Sequence, residues 1–308
     1  MIRELRTSRI AYPFWSSASV ATVLALGFVN GETRAEQPFK FEVASVKTNV
    51  AKDQRGSLPQ LMVNGRFVAT NIPLEIVIAI AYDVSFQTFG TPRISGGPEW
   101  LRSERFDIEA RAEAGAVPAG APSAERVQRM RMMLRNLLAE RFRLSVHTDM
   151  REMPVYAIVV ARNGPKLERS STQEKDCDLQ PERSPAGGQF RVEDLPCLRI
   201  AGGQGRGLHA NAATISDVAL YVANWADRPI LDRTDLTGLY RFETEGWVPM
   251  RPAQIPPGVE PSPEQLAMAD PNRPTLFMIF DRLGLKLEPR KAPIEMYTIE
   301  HVERPTEN

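Results

Sequence analysis

Apolar positions along the chain recur with two periods, and the switches between those periods predict the elements. Residues 39–47 (FKFEVASVK) read as a strand, and Gly65-Arg66-Phe67-Val68-Ala69-Thr70 as a second, shorter one. Asn71-Ile72-Pro73 then caps and opens a helix with Leu74, Val77, Ile78 and Ala81 on one face at 3.6 residues per turn. Ile94-Ser95-Gly96-Gly97-Pro98 makes a turn, and residues 105–111 alternate Phe106, Ile108 and Ala110 as a half-buried strand does. After an Ala/Gly/Pro linker at 113–122, Ser123 caps a helix with Val127, Met130, Leu134, Leu137 and Leu138 at helical spacing. Phe142, Leu144 and Val146 alternate next, and residues 154–160 (PVYAIVV) are continuously apolar. With a polar turn at 149–152 between them, these two segments predict an antiparallel hairpin.

Residues 163–206 form a long insert rich in Gly, Pro, Ser and charge, and from Gly207 the order of elements starts again. Residues 207–211 read as a strand, and Thr214-Ile215-Ser216-Asp217 has capping-box form and opens a helix with Ile215, Val218 and Val222 inward. Residues 228–232 and 238–246 are strands around a turn at 233–237. A proline-rich linker at 249–274 precedes a helix with Leu276, Ile279, Phe280 and Leu283, ended by Gly284. Leu285, Leu287 and residues 293–302 predict a second hairpin.

The halves also correspond in letters. Leu74 and Val77 match Ile215 and Val218, and Phe106-Asp107-Ile108-Glu109 matches Tyr240-Arg241-Phe242-Glu243. Arg141-Phe142-Arg143-Leu144 matches Gly284-Leu285-Lys286-Leu287, and Pro154-Val155 matches Pro293-Ile294. The expected fold class is α+β, with two pseudo-repeated units, each an antiparallel sheet with helices packed on one face. The units span 36–162 and 207–308, separated by the insert at 163–206.

The first 35 residues differ from the rest. Arg3, Arg6 and Arg9 precede a short apolar run at 18–29, and Thr33-Arg34-Ala35 offers small residues for cleavage after Ala35. The run is shorter than the ~20 residues that span a bilayer, so it reads as a signal peptide, the alternative being an uncleaved anchor. The expected location is therefore periplasmic or secreted. Cleavage removes four of the 38 basic and two of the 38 acidic residues, leaving a net charge of −2. That charge gives no electrostatic reason for nucleic-acid binding, and no later segment is apolar enough to span a membrane. In an oxidising compartment, Cys177 and Cys197, the only cysteines, read as a disulfide that staples the insert. The rival reading, a metal or redox pair, wants more thiols, clustered histidines or C-x-x-C spacing.

Several segments together resemble a known family. They are Phe41-Glu42-Val43-Ala44-Ser45-Val46-Lys47, Gly96-Gly97-Pro98-Glu99-Trp100-Leu101, Leu137-Leu138-Ala139-Glu140-Arg141-Phe142, Asp232-Arg233-Thr234 with Leu236-Thr237-Gly238, and Gly284-Leu285-Lys286-Leu287-Glu288. The combination is similar to an uncharacterised, soil-bacteria-associated family of exported proteins, from about Phe39 to the C-terminus. That family has no assigned catalytic residues to carry over. Its domain is similar to one fused to membrane metallopeptidases of the β-lactam-sensor type, which implies an extracytoplasmic sensing or binding role; no H-E-x-x-H motif occurs in this chain.

Candidate chemistry is sparse. His147, His209 and His301 are scattered in sequence and read as surface or hydrogen-bonded structural histidines rather than a metal or general-base site. Asp232-Arg233-Thr234-Asp235 offers carboxylates beside a guanidinium, suited to an anion or a polarised substrate, and equally to a turn in which Asp and Thr bond local backbone. Trp100 is open to two readings, a stacking platform for a ligand or a plug between helix and sheet. No G-x-S-x-G, Walker-type loop or paired Cys/His spacing occurs, so no catalytic, cofactor-binding or metal-binding residue is assigned. The expected function is an exported binding, interaction or sensor-like module for an envelope or extracellular ligand. The alternative is an exported hydrolase using Asp232 and Asp235.

Overall fold

In a computed structural model of the chain, the described residues are 39–50, 57–61, 64–85, 93–179, 191–250 and 272–305. The expected signal segment and most of the linker at 249–274 lie outside them. The first outer sheet is antiparallel, in the order β1 (Phe41–Asn49), β5 (Arg105–Ala112), β3 (Arg66–Pro73) and β2 (Ser57–Leu61). The second outer sheet runs β7 (Glu168–Arg169), β11 (Tyr240–Glu243), β9 (Gly207–Ala213) and β8 (Ala201–Gly203), also antiparallel. Taken in chain order, the two sheets have the same connectivity. Ile72 stands opposite Phe106 in the first, and Ala213 opposite Tyr240 in the second. As the alternation requires, Phe106, Ile108 and Ala110 all point into a core.

Each outer sheet is followed by a helix that buries its apolar face. Helix α1 (Leu74–Ala81) leaves β3, and α4 (Ile215–Val222) leaves β9. With α2 (Trp100–Ser103) and α3 (Ser123–Phe142), α1 closes a first core around Phe67, Leu74, Ile78, Phe106, Met130 and Phe142. With α5 (Leu276–Arg282), α4 closes a second around Ile215, Val222, Tyr240, Phe242, Trp247 and Phe280. The helix ends follow local chemistry. Thr214 and Asp217 form the expected capping box on α4, and Gly284 takes a left-handed φ of 69° just past α5, where a Cβ would stand 2.3 Å from the Gly164 carbonyl oxygen.

Two expected caps turn out differently. Asn71 does not cap α1. It sits at a register shift in β3 with a positive φ of 55°, and its amide donates to Asp107 Oδ1 at 2.8 Å. Ser123 is the first residue inside α3 and makes no side-chain cap; its amide donates to Glu174 Oε2 at 2.9 Å. Glu174 opens the helical turn Glu174–Leu179 that carries Cys177, and its carbonyl accepts from the fully buried guanidinium of Arg126 at 2.8 Å. The disulfide is present, with Cα atoms 5.3 Å apart, and Cys177 packs beside Ala212 and Leu239 of the second half. It thereby holds the segment that caps the longest helix of the first half.

The largest departure from the sequence reading is at the expected hairpins. Neither hairpin forms. Residues 149–152 (DMRE) contain no Gly or Asn to take a left-handed turn, so the chain runs straight through as β6 (Ser145–Val160). The second segment likewise forms one long strand, β12 (Leu285–His301). The two strands pair antiparallel with each other through 16 residue pairs, a ribbon about 50 Å long at the usual rise. Two short strands join parallel at its edges, β10 (Ile230–Asp232) on β6 and β4 (Ile94–Gly96) on β12, giving a mixed central sheet in the order β10-β6-β12-β4.

This ribbon spans both cores. Val146, Tyr297 and Ile299 pack in the first; Tyr156, Ile158, Leu285 and Leu287 pack in the second. Between them every residue from His147 to Glu152 is exposed, as are Pro289, Arg290, Lys291 and Pro293. The Tyr156 amide donates outward to Pro229 and the Tyr297 amide outward to Arg93, so even-numbered amides of β6 and odd-numbered amides of β12 face away from the ribbon. Pro154, Pro289 and Pro293 all fall on those outward positions, where no ladder hydrogen bond is lost.

Replacing both cysteines by serine is expected to lower stability by about 3 kcal/mol, the closure entropy of a loop of this length, and Glu174→Ala by about 1 kcal/mol through the lost cap. Urea unfolding under non-reducing conditions measures both. A cysteine-free protein as stable as the parent would contradict the role assigned to the staple.

Candidate functional site

Where the ribbon enters each core, a tyrosine meets an arginine. Tyr156 lies opposite Ile230 of β10, and the Arg228 guanidinium stands 4.7 Å from the centre of its ring. Tyr297 lies opposite Ile94 of β4, with Arg93 at 5.8 Å. Each ring has a second aromatic partner. Phe277, 39% exposed, meets Tyr156 edge-on at 5.3 Å, and Tyr82 packs against Tyr297 at 4.8 Å with Arg135 over its other side at 4.5 Å. By the two-residue period of the strand, Tyr156, Met150 and Tyr297 share one face, and Met150 lies between the two tyrosines with 62% of its surface exposed.

The electrostatics follow from burial and pairing. Burial raises the Tyr297 hydroxyl, and the Glu295 carboxylate that accepts its short hydrogen bond raises it further, so it is pushed up to about 12. Burial, then the Asp227 charge, raises Tyr156 as well. Burial alone would raise Asp227, but hydrogen bonds from Arg228 at 2.6 and 3.1 Å and the charge of that guanidinium outweigh it and hold the carboxyl low. Both tyrosines are therefore neutral donors near pH 7, and both arginines are cations beside aromatic faces. Such a set can bind carboxylate or aromatic groups.

Polar contacts also join the ends of α1 and α4. Ser85 Oγ donates to Asn224 Oδ1 at 2.7 Å, and Asp83 pairs with Arg131 of α3 at 2.5 Å. Asp217 is half-buried, and loss of hydration raises its carboxyl despite hydrogen bonds from the Thr214 amide and hydroxyl.

The residues singled out from sequence are not brought together. Trp100 is half-buried, 6.2 Å from Phe106, and covered by Arg304, which Glu104 holds at 2.6 Å. Asp232 accepts from the Thr234 amide and hydroxyl on one oxygen, a turn interaction, and from Ser216 of α4 on the other; Arg233 is exposed. Trp100 follows β4, which pairs with β12 as far as Ile299, and Asp232 ends β10 level with Leu287, so the two lie at opposite ends of the ribbon, roughly 40 Å apart at the usual rise per residue. His147 pairs with Asp149 and His301 with Glu303, both exposed, while His209 meets the Arg206 carbonyl. Among the described residues no group of three or more His, Cys, Asp or Glu side chains is placed to hold a metal. The sequence reading missed the tyrosine–arginine pairs; their signal lay in Pro92-Arg93-Ile94 beside Arg228-Pro229-Ile230, and in Tyr156 beside Tyr297.

Fold and surface define a mixed α+β protein whose two halves share one sheet, with a disulfide and, among the described residues, no helix long and apolar enough to cross a membrane. The chain belongs to the family described as Protein of unknown function (DUF3738), whose model matches residues 75–302. That agrees with the resemblance to an uncharacterised family. No curated protein and no solved structure matches the chain.

The raised Tyr297 gives a signed pH dependence. Its folded value lies above its unfolded value of 10, so its contribution is complete below pH 10 and is lost as pH rises toward about 12. Thermal unfolding from pH 9 upward is expected to show a fall across that window which Tyr297→Phe reduces. An unchanged slope in the variant would contradict the assignment.

Proposed function

We propose that the mature protein is an exported, non-enzymatic binding or interaction module whose ligand surface lies between the two halves, on the open middle of the central ribbon. The observation that carries this reading is the run from His147 to Glu152, exposed on a sheet whose two ends are buried, with a tyrosine–arginine pair at each end. Met150 and Phe277 supply apolar contact; Arg228 and Arg93 supply charge. This chemistry suits a ligand with carboxylate groups set beside apolar or aromatic ones. The matching connectivity supports reading two copies of one unit, 36–162 and 207–308, with the second sheet also taking β7 and β8 from the stapled insert at 163–206. The disulfide fits an oxidising compartment, in keeping with a signal peptide ending at Ala35.

No observation favours the hydrolase alternative: the turn engages one oxygen of Asp232 and Ser216 of α4 the other. Asp232→Asn is expected to lower the melting temperature; a variant that kept its stability and lost a turnover found in the parent would reverse the choice.

Thermal-shift screening of the purified mature chain against envelope fragments, glycans, acidic peptides and antibiotics tests the binding reading. Stabilisation by carboxylate-bearing apolar compounds is expected, weakened on the order of tenfold by Arg228→Gln. A flat response across the whole panel would overturn it. N-terminal sequencing of the exported protein is expected to begin at Glu36; a retained N-terminus would instead support the anchor.

A further inference from the structure

The two edges of the ribbon are protected unequally. On β12 the outward positions in the open middle are Pro289, Lys291 and Pro293, so two of three lack an amide hydrogen. On β6 the positions opposite Pro289 and Lys291 are Tyr156, where β10 attaches, and Pro154. Beyond them Glu152, Met150 and Thr148, opposite Pro293, Glu295 and Tyr297, each keep a free outward amide and carbonyl among the described residues, whereas Arg93 engages the Glu295 carbonyl and the Tyr297 amide. Unpaired strand edges are templates for another strand, and proline is a common way to close them. One edge is closed and the other is left open.

We infer that the β6 edge from Thr148 to Glu152 pairs antiparallel with the same edge of a second copy of this chain, centred on Met150. In that register Thr148 faces Glu152 of the second copy and Met150 faces Met150, all outward positions, so about six backbone hydrogen bonds form. Asp149 then stands opposite Arg151 of the second copy, twice by symmetry and at the closer type of pair, where opposite charges stabilise the sheet. The registers centred one residue to either side instead oppose Asp149 to Asp149 or Arg151 to Arg151. Charge therefore selects the Met150 register. Within one copy Arg151 is exposed and has no ion-pair partner among the described residues, and Asp149 touches only exposed His147. Six consecutive exposed residues, from His147 to Glu152, leave room for the approach. The product is one sheet running from ribbon to ribbon across a two-fold axis, with the two Met150 side chains together on one face.

Sedimentation velocity of the ligand-free mature chain over a range of concentrations tests this directly. A monomer–dimer equilibrium is expected. Asp149→Arg alone and Arg151→Asp alone are each expected to weaken it on the order of tenfold, and the double exchange to restore it within about threefold. Met150→Pro, a change of the kind β12 already tolerates at outward positions, is expected to abolish the dimer and leave the melting temperature of the monomer in place. A chain that stays monomeric throughout, or a dimer indifferent to the charge exchange and to Met150→Pro, overturns the inference. Because no ligand is present, either result is separate from the outcome of the binding screen.

Discussion

Everything in this structure hangs on the antiparallel ladder between β6 and β12. An isolated two-stranded ribbon is marginal in water, because its backbone hydrogen bonds merely replace bonds to solvent. Here each end of the ribbon is locked by a hydrophobic core: Val146, Tyr297 and Ile299 at one end, Tyr156, Ile158, Leu285 and Leu287 at the other. Each long strand thus belongs to both cores. Neither half of the chain can complete its core without a strand from the other, which couples two units whose outer sheets are otherwise self-contained.

The disulfide reinforces the same coupling at a distance. It ties Cys197 to the turn of Cys177, which packs on Ala212 and Leu239 and whose Glu174 supplies the cap that α3 lacks in its own sequence. Arg126 can be fully buried because the Glu174 carbonyl accepts from it within the same docking. At the junction of α1 and α4 the contact is polar instead, Ser85 with Asn224, beside the Asp83–Arg131 pair that ties the end of α1 to α3. A dry, apolar junction would leave these groups unpaired; pairing them side chain to side chain fixes how the two helix ends meet.

What the cores leave over is the part with room for function. The middle of the ribbon carries exposed residues on both faces, and its two edges differ in whether their outward amides exist at all. At both ends, arginine over tyrosine sets a cation against an aromatic face, and burial, with a neighbouring carboxylate second, raises the phenol.

By itself the sequence determined whatever depends on neighbours along the chain. The periods of 3.6 and 2 placed α1, α3, α4, α5, β5 and β11; the Thr214 box and Gly284 marked helix ends; two cysteines in one insert implied their bond. Tertiary structure alone decided what depends on residues far apart. Alternation in 142–160 and 285–302 fits a hairpin as well as one long strand, since both bury the same side chains, and only the 16-pair ladder between β6 and β12 chose. Likewise, Ser123 looked like a cap because a serine hydroxyl can accept from a first-turn amide; that its own amide instead donates to Glu174, 51 residues away, follows from packing. The tyrosine–arginine pairs came into view for the same reason: side chains distant in sequence meet only once the strands that carry them are in register.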